Sequence, residues 1–383
     1  MKTFFFNLIF LFFFQAIFGQ VISKNIESKI LREYRNIKIY LPSSYKKDST
    51  KIYPLAIILD AEDLFNVYVA NSKLFAKKQE APQQIIVGIS QLGSRIKDCS
   101  FNISNSLPSA SARDFIDFIN LELLQYLNDN YRLSPFKTLV GKSLTANFIN
   151  YFLLGNNLNF NAFININPSY APNMQTFLSS KIPDIKMPIY YYLSSGSYNS
   201  NKKQKNILAT NNLLNASKNS FIHHKMTYFK DVNYTASLGL SIPDALAFIF
   251  KMYGPISKKE YNTEISKMDP PDAISYLEKK YVEIEYYFGT NIAIRQKDII
   301  RIEPIIINKS NGDYLGEFGK MILRLYPNSP LGYYYIGRYY ETGNQFKKAL
   351  KFYKLGYSKM DLADPNLDGY YENISRVMQK RKN

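Results

Sequence analysis

The segment "TLVGKSLTANF", Thr138 to Phe148, runs from a β-branched apolar stretch through Gly141, Lys142 and Ser143 into residues with helical spacing. A serine on so sharp a strand-to-helix bend needs small residues two positions to either side, because the two backbones approach closely there. Gly141 meets that demand, while Thr145 stands where a second glycine is usual and is followed by Ala146. A serine displayed in this way is a candidate nucleophile, and its setting predicts a sheet flanked by helices.

The surrounding sequence carries that pattern from Asn36 to Phe250, alternating short β-branched or aromatic runs with longer amphipathic ones. "NIKIYLP" (Asn36 to Pro42) alternates polar and apolar residues and reads as an early, half-buried antiparallel strand. "YPLAIILD" (Tyr53 to Asp60) and "QQIIVGIS" (Gln83 to Ser90) are nearly all apolar, as central strands covered on both faces must be. Between them and Ser143, "SARDFIDFINLELLQYLNDNYRL" spaces Phe115, Phe118, Ile119, Leu123, Tyr126 and Leu127 three or four apart, an amphipathic helix. Further strands are expected at Ala162 to Asn167, Pro188 to Gly196 and His224 to Phe229, with "DALAFIF" as the closing helix.

After Tyr253 the strand-like runs stop. A polar, proline-containing stretch follows, so the expected division is residues 1–19, 20–254 and 255–383. In the last part, Gly332 to Tyr357 fits the helix-turn-helix pattern of a tetratricopeptide repeat, with Tyr333, Ile336, Gly337 and Tyr340 on one helix and Phe346, Ala349 and Tyr353 on the next. One such hairpin cannot bury its apolar face alone, so neighbours are required, within this chain or on a protein partner that meets these C-terminal helices.

Residues 1–19 place Lys2 ahead of an apolar run from Phe4 to Phe14 and end on Gly19, the order of a secretory signal, and the expected location is periplasmic or secreted. The single cysteine, Cys99, precludes an intramolecular disulfide and reads as a small buried hydrophobe. A net charge of +17 would suit a polyanion, but the lysines are scattered in pairs such as Lys77-Lys78, Lys202-Lys203 and Lys347-Lys348 and no nucleic-acid motif accompanies them. They read as solvated surface, with no nucleic-acid partner expected and contact with an anionic cell-envelope surface left open. With two histidines in all, the acids of "DAEDLF" do not suggest a metal site, and no cofactor is expected.

The stretch from about Ile37 to Phe250 resembles the putative-esterase family of α/β-hydrolases, which includes esterase D and the enterochelin esterases. The resemblance rests on "IILDAEDLF", on "IVGISQLGSRIKDCSFN" with Arg95 and Asp98 at the family spacing, on "FIDFINLELLQYLNDNYR" and on "GKSLTA". It implies an α/β-hydrolase sandwich with a mixed, mostly parallel sheet, followed here by a small all-α domain. It also implies that Ser143 is the nucleophile position, with an oxyanion hole from the backbone N–H groups of Leu144 and Ala61.

A serine hydroxyl needs a base, normally a histidine oriented by a carboxylate. The only histidines, His223 and His224, begin the preceding strand. Alignment on the closing helix puts Tyr234 in the family histidine's place, and Asn199 occupies the region where the family often carries the acid. Lys142 neighbours the serine but points elsewhere on a sharp turn. The leading expectation is therefore an exported member with a degenerate triad, impaired in catalysis and acting by binding a small ester-like ligand or a protein. The alternative is an active serine carboxylic-ester hydrolase acting on a siderophore, acyl-sugar or thioester, with His223 or His224 as base.

Overall fold

A computed structural model describes residues 20–155, 157–197, 199–289, 292–309, 312–361, 364 and 366–382. The expected leader, residues 1–19, lies outside them, as does Tyr198. The described residues divide into two compact units: those up to 74 with 83–248, and 75–82 with those from 249 onward.

The first unit is built on one eight-stranded sheet: β1 (Gln20–Ser28), β2 (Glu33–Leu41), β3 (Tyr53–Ile58), β4 (Ile85–Ile89), β5 (Leu133–Lys142), β6 (Ala162–Ile166), β7 (Ile189–Gly196) and β8 (Ile222–Phe229). Their order is β1-β2-β4-β3-β5-β6-β7-β8. β1 and β2 form an antiparallel hairpin, β2 runs antiparallel to β4, and every pair from β4 to β8 is parallel. The mixed sheet of an α/β-hydrolase is thus present.

All residues of β3, β4, β6 and β7 are buried, as expected of predominantly apolar central strands, with Asn165, Ser194 and Ser195 the polar residues among them. The connections carry α1 (Ala61–Lys77), α2 (Arg95–Cys99), α3 (Ala110–Asp117), which continues through a π-helical turn at Phe118–Leu123 into α4 (Leu124–Asn130), then α5 (Leu144–Phe148), α6 (Asn150–Leu154), α7 (Met174–Lys181), α8 (Asn201–Ala216) and α9 (Tyr234–Ile249). Phe115, Phe118, Ile119, Leu123 and Leu127 all lie in the sheet's core cluster, as their spacing predicts.

Two details differ from the sequence reading. β1 is a strand not anticipated, because its residues are mostly exposed at the sheet edge and carry no buried alternation. The closing helix starts at Tyr234, ten residues before "DALAFIF", so Tyr234 sits in its first turn rather than in a preceding loop.

The second unit is helical: α10 (Lys258–Thr263), α11 (Pro270–Phe288), α12 (Gln296–Asn308), α13 (Leu315–Leu325), α14 (Pro330–Thr342), α15 (Phe346–Tyr357) and α16 (Leu367–Lys382). Its first residues include Ile249, Phe250 and Tyr253, because the rings of Phe250 and Tyr253 pack on Phe288 of α11. Each of the last helices packs on the next, α13 on α14, α14 on α15 and α15 on α16. Gly337 lets α14 and α15 meet: a Cβ there would lie 2.7 Å from the Tyr353 ring. Among the described residues no helix is long and apolar enough to cross a membrane.

Candidate functional site

Three parallel strands, β3, β5 and β6, end side by side, and each is followed within two residues by a non-glycine residue with positive φ: Asp60 at 51°, Ser143 at 50° and Asn167 at 45°. Such backbone is costly for a residue with a Cβ and persists only where its surroundings hold it. At Ser143 the hold is explicit. Its N–H donates to Ile166 O at 2.9 Å, and its carbonyl accepts from Asn147 N at 3.1 Å and Ser169 N at 3.0 Å. Gly141 is obligatory for the bend, since a Cβ would sit 2.6 Å from the Thr145 carbonyl carbon and 2.8 Å from Ala146 N.

Thr145, where a second glycine is usual, is fully buried and bonded. Its hydroxyl donates to Asp60 Oδ2 at 2.8 Å and accepts from Lys142 N at 2.8 Å. Asp60 is buried too and pairs with the Arg95 guanidinium, whose Nη2 also donates to the Lys142 carbonyl at 3.0 Å. The end of β3, the start of α2 and the serine bend are thereby tied into one charge-assisted network. This is where the acids of "DAEDLF" go: Asp60 to Arg95, Glu62 to Ser90, and Asp63 to Lys142 Nζ at 2.6 Å. Asp98, the other family-spaced residue, instead forms a buried pair with Arg35.

Ser143 Oγ has two side-chain partners among the described residues. Tyr234 OH lies 3.0 Å away, and Lys203 Nζ on α8 donates to it at 3.2 Å. Tyr234 is thus brought to the serine, and two ammonium groups, Lys142 Nζ and Lys203 Nζ, each lie 5.7 Å from its ring centre. Of the three cations around the serine, Arg95 and Lys142 each have a carboxylate, whereas Lys203 forms no ion pair among the described residues. Burial, reinforced by the like charges of Arg95 and Lys142, pulls the Lys203 ammonium down to about 8.

The other expected site residues fall as follows. Asn199 is not brought to Tyr234; its amide donates to Asn167 Oδ1 at 2.9 Å, Ser195 Oγ at 3.1 Å and the Gly196 carbonyl at 3.2 Å, bracing the loop after β7. Leu144 and Ala61 are the first residues of α5 and α1, so their N–H groups have no carbonyl four residues back within their own helices. His223 stacks on Tyr190, and His224 Nε2 lies 2.8 Å from Asn215 Oδ1. Both are near the start of β8, and at about 3.3 Å per residue they lie roughly 15–20 Å along the strand from its C-terminal end. Burial holds both below the ordinary imidazole value.

Lys203 escaped the sequence reading. It was one of a surface-like pair sixty residues from the serine, and nothing local marked it. The signal that could have found it is its place in the first turn of the helix after β7, whose strand end adjoins those of β6 and β5 in this sheet.

Residues 28–154 match the family model of the putative esterases. No curated protein sequence matches the chain. Among solved structures, an uncharacterised protein from Capnocytophaga ochracea DSM 7271 is similar with a TM-score of 0.81 at 23% identity, over 94% of this chain and 100% of that one. The IroE-like serine hydrolase from Shewanella oneidensis follows with a TM-score of 0.60 at 20% identity, over 80% of this chain and 98% of that one. The BES protein from Bacillus cereus gives 0.53 at 20% identity, over 60% and 94%. At these identities the likeness is one of fold. The family match includes the serine bend but ends before Asn199, Lys203 and Tyr234. The α/β unit of this chain has an α/β-hydrolase fold, and its residues 28–154 are similar to the putative esterases.

Proposed function

We propose that this protein is a serine ester hydrolase in kind whose Ser143 accepts acyl groups but turns over slowly at neutral pH. The observation that carries this reading is the pair of partners on Ser143 Oγ: a phenol and an ammonium, with both imidazoles engaged near the other end of β8. The strained bend exposes the hydroxyl, and the N–H groups of Leu144 and Ala61 are available to a developing oxyanion. What is depleted is the proton acceptor, since a phenol is a weak base near pH 7 and an ammonium is none. A carboxylic ester, oxygen or thio, is the substrate class that such a serine serves.

The N-terminal pattern at residues 1–19 supports export to the periplasm or beyond. The successive helix pairs from α13 to α16, with Gly337 against Tyr353, support a tetratricopeptide-like stack that meets a protein partner.

A fluorophosphonate probe tests the reading on the full chain. Ser143 is expected to be labelled, slowly at pH 7, and Ser143→Ala to abolish labelling. A chain that stays unlabelled at every pH up to about 10, while still folded by circular dichroism, would remove Ser143 from the chemistry.

A further inference from the structure

We propose that Lys203 is the general base of Ser143, receiving the hydroxyl proton that a histidine receives elsewhere in the family. The inference rests on the reading that Ser143 is the acylated residue, and it adds the catalytic group that reading lacks.

The geometry is direct. Lys203 Nζ is 3.2 Å from Ser143 Oγ, within the reach required for transfer of that proton without an intervening water. It comes from the first turn of α8, which Ser200 caps by accepting from Lys203 N. The charged and titratable groups that face it are Arg95 of α2, paired with Asp60; Lys142 of β5, paired with Asp63; and Tyr234 of α9, which shares the serine hydroxyl. Its neighbours on α8, Lys202 and Lys205, are exposed. The two carboxylates are already spent on the other two cations. Lys203 therefore sits half-buried in a positive field with no counter-ion among the described residues, the setting that favours a neutral amine.

The chemistry balances with water as the only co-reactant. The neutral Lys203 amine takes the Ser143 proton as Oγ bonds to the ester carbonyl carbon, and the carbonyl electron pair moves onto oxygen. The tetrahedral adduct collapses, the C–O bond to the alcohol breaks, and the Lys203 ammonium gives its proton to the departing alkoxide. The neutral amine then takes a proton from water, hydroxide adds to the acyl carbon, and Ser143 Oγ leaves with the proton returned by Lys203. Tyr234, bonded to the same oxygen, fixes the rotamer of Ser143 towards the amine. An amine titrating near 8 is about a tenth neutral at pH 7 and about nine-tenths neutral at pH 9, so turnover should be slow at neutrality and rise with pH.

The test is the second-order rate of fluorophosphonate labelling of Ser143 between pH 6 and 10, with wild type, Lys203→Met, Lys203→Arg and Tyr234→Phe. Wild type should rise about tenfold from pH 7 to pH 9, with a midpoint near 8. Lys203→Met and Lys203→Arg should both fall at least about a hundredfold at pH 8.5 and lose that midpoint, while Tyr234→Phe should keep it. The arginine variant is the discriminating arm, because a lysine that merely attracted an anionic ligand would be replaced by arginine with little loss. Wild-type labelling with an unchanged midpoint in either Lys203 variant would overturn the proposal and leave Ser143 as the nucleophile. No labelling of Ser143 at any pH would overturn both readings together.

Discussion

Lys142→Met provides a graded test of the electrostatics around Ser143. Lys142 and Lys203 each place Nζ 5.7 Å from the centre of the Tyr234 ring, so the two charges are separated by no more than twice that distance. At about 11 Å and an effective dielectric of about 20, Coulomb's law gives roughly 1.5 kcal/mol of repulsion, a little over one pKa unit before screening. Salt reduces this figure, and so does Asp63, which sits 2.6 Å from Lys142 Nζ. Removing the ammonium leaves the Asp63 carboxylate behind, so its attraction replaces a repulsion. The Lys203 midpoint should move up by about one unit, and labelling at pH 7 should drop about tenfold with an unchanged rate at the alkaline plateau. Asp63→Asn should move the midpoint the other way, by about half a unit. The bend itself is held by the Lys142 backbone, through Arg95 and Thr145, and both substitutions leave that intact. The assay is the pH profile of Ser143 labelling. A midpoint that stays fixed or moves down in folded Lys142→Met would show that the Lys142 charge does not act on Lys203.

The bend, the buried pairs and the helical unit each yield one more expectation. Gly141→Ala drives a Cβ into the backbone of Thr145 and Ala146 and should lower stability by about 2–3 kcal/mol in urea titration, with loss of Ser143 labelling. Asp98→Ala removes the buried carboxylate from Arg35 but leaves its guanidinium paired with Glu33 at 2.6 Å, and should cost about 2–3 kcal/mol by the same measurement, more than an exposed pair such as Lys97–Glu33 would cost. In the helical unit, burial of Glu341 opposes its ionisation, but hydrogen bonds from Arg376, Tyr353 and Lys380 prevail and hold its carboxyl down at about 2. A depressed carboxylate stabilises the fold above its unfolded value near 4.5, and that stability is lost as pH falls from there towards 2. Glu341→Gln should therefore lower the stability of the helical unit by about 1–2 kcal/mol at pH 7 and flatten its acid unfolding between pH 4.5 and 2.

What could be read in the chain beforehand follows from which interactions are local. β3 and β4 announce themselves because a strand covered on both faces is nearly all apolar, and β6 and β7 do so through their apolar and aromatic runs although Asn165, Ser194 and Ser195 are buried within them. β1 did not, since an exposed edge strand such as "QVISKNIES" has no such requirement. The early start of α9 was hidden by Gly239 and Pro243, two residues that ordinarily interrupt a helical pattern. At the site, the serine bend was legible from Gly141 and Ser143, whose constraint spans a few residues. The tolerance of Thr145 was not, because it depends on Asp60, eighty-five residues away. Lys203 was the least legible of all: its chemistry arises from burial and from two cations on other elements, and neither leaves a mark on "NKKQK".

Catalysis by this site depends on which atom carries the acyl group. The most direct measurement is rapid acid quenching of the full chain after mixing with p-nitrophenyl butyrate at pH 9, followed by peptide mass spectrometry of the segment around "GKSLTA". A butyryl group is expected on Ser143 within the first turnover, absent in Ser143→Ala and strongly reduced in Lys203→Arg. Ester hydrolysis with Ser143 unmodified, or a butyryl group found on the Lys203 amine instead, would contradict it.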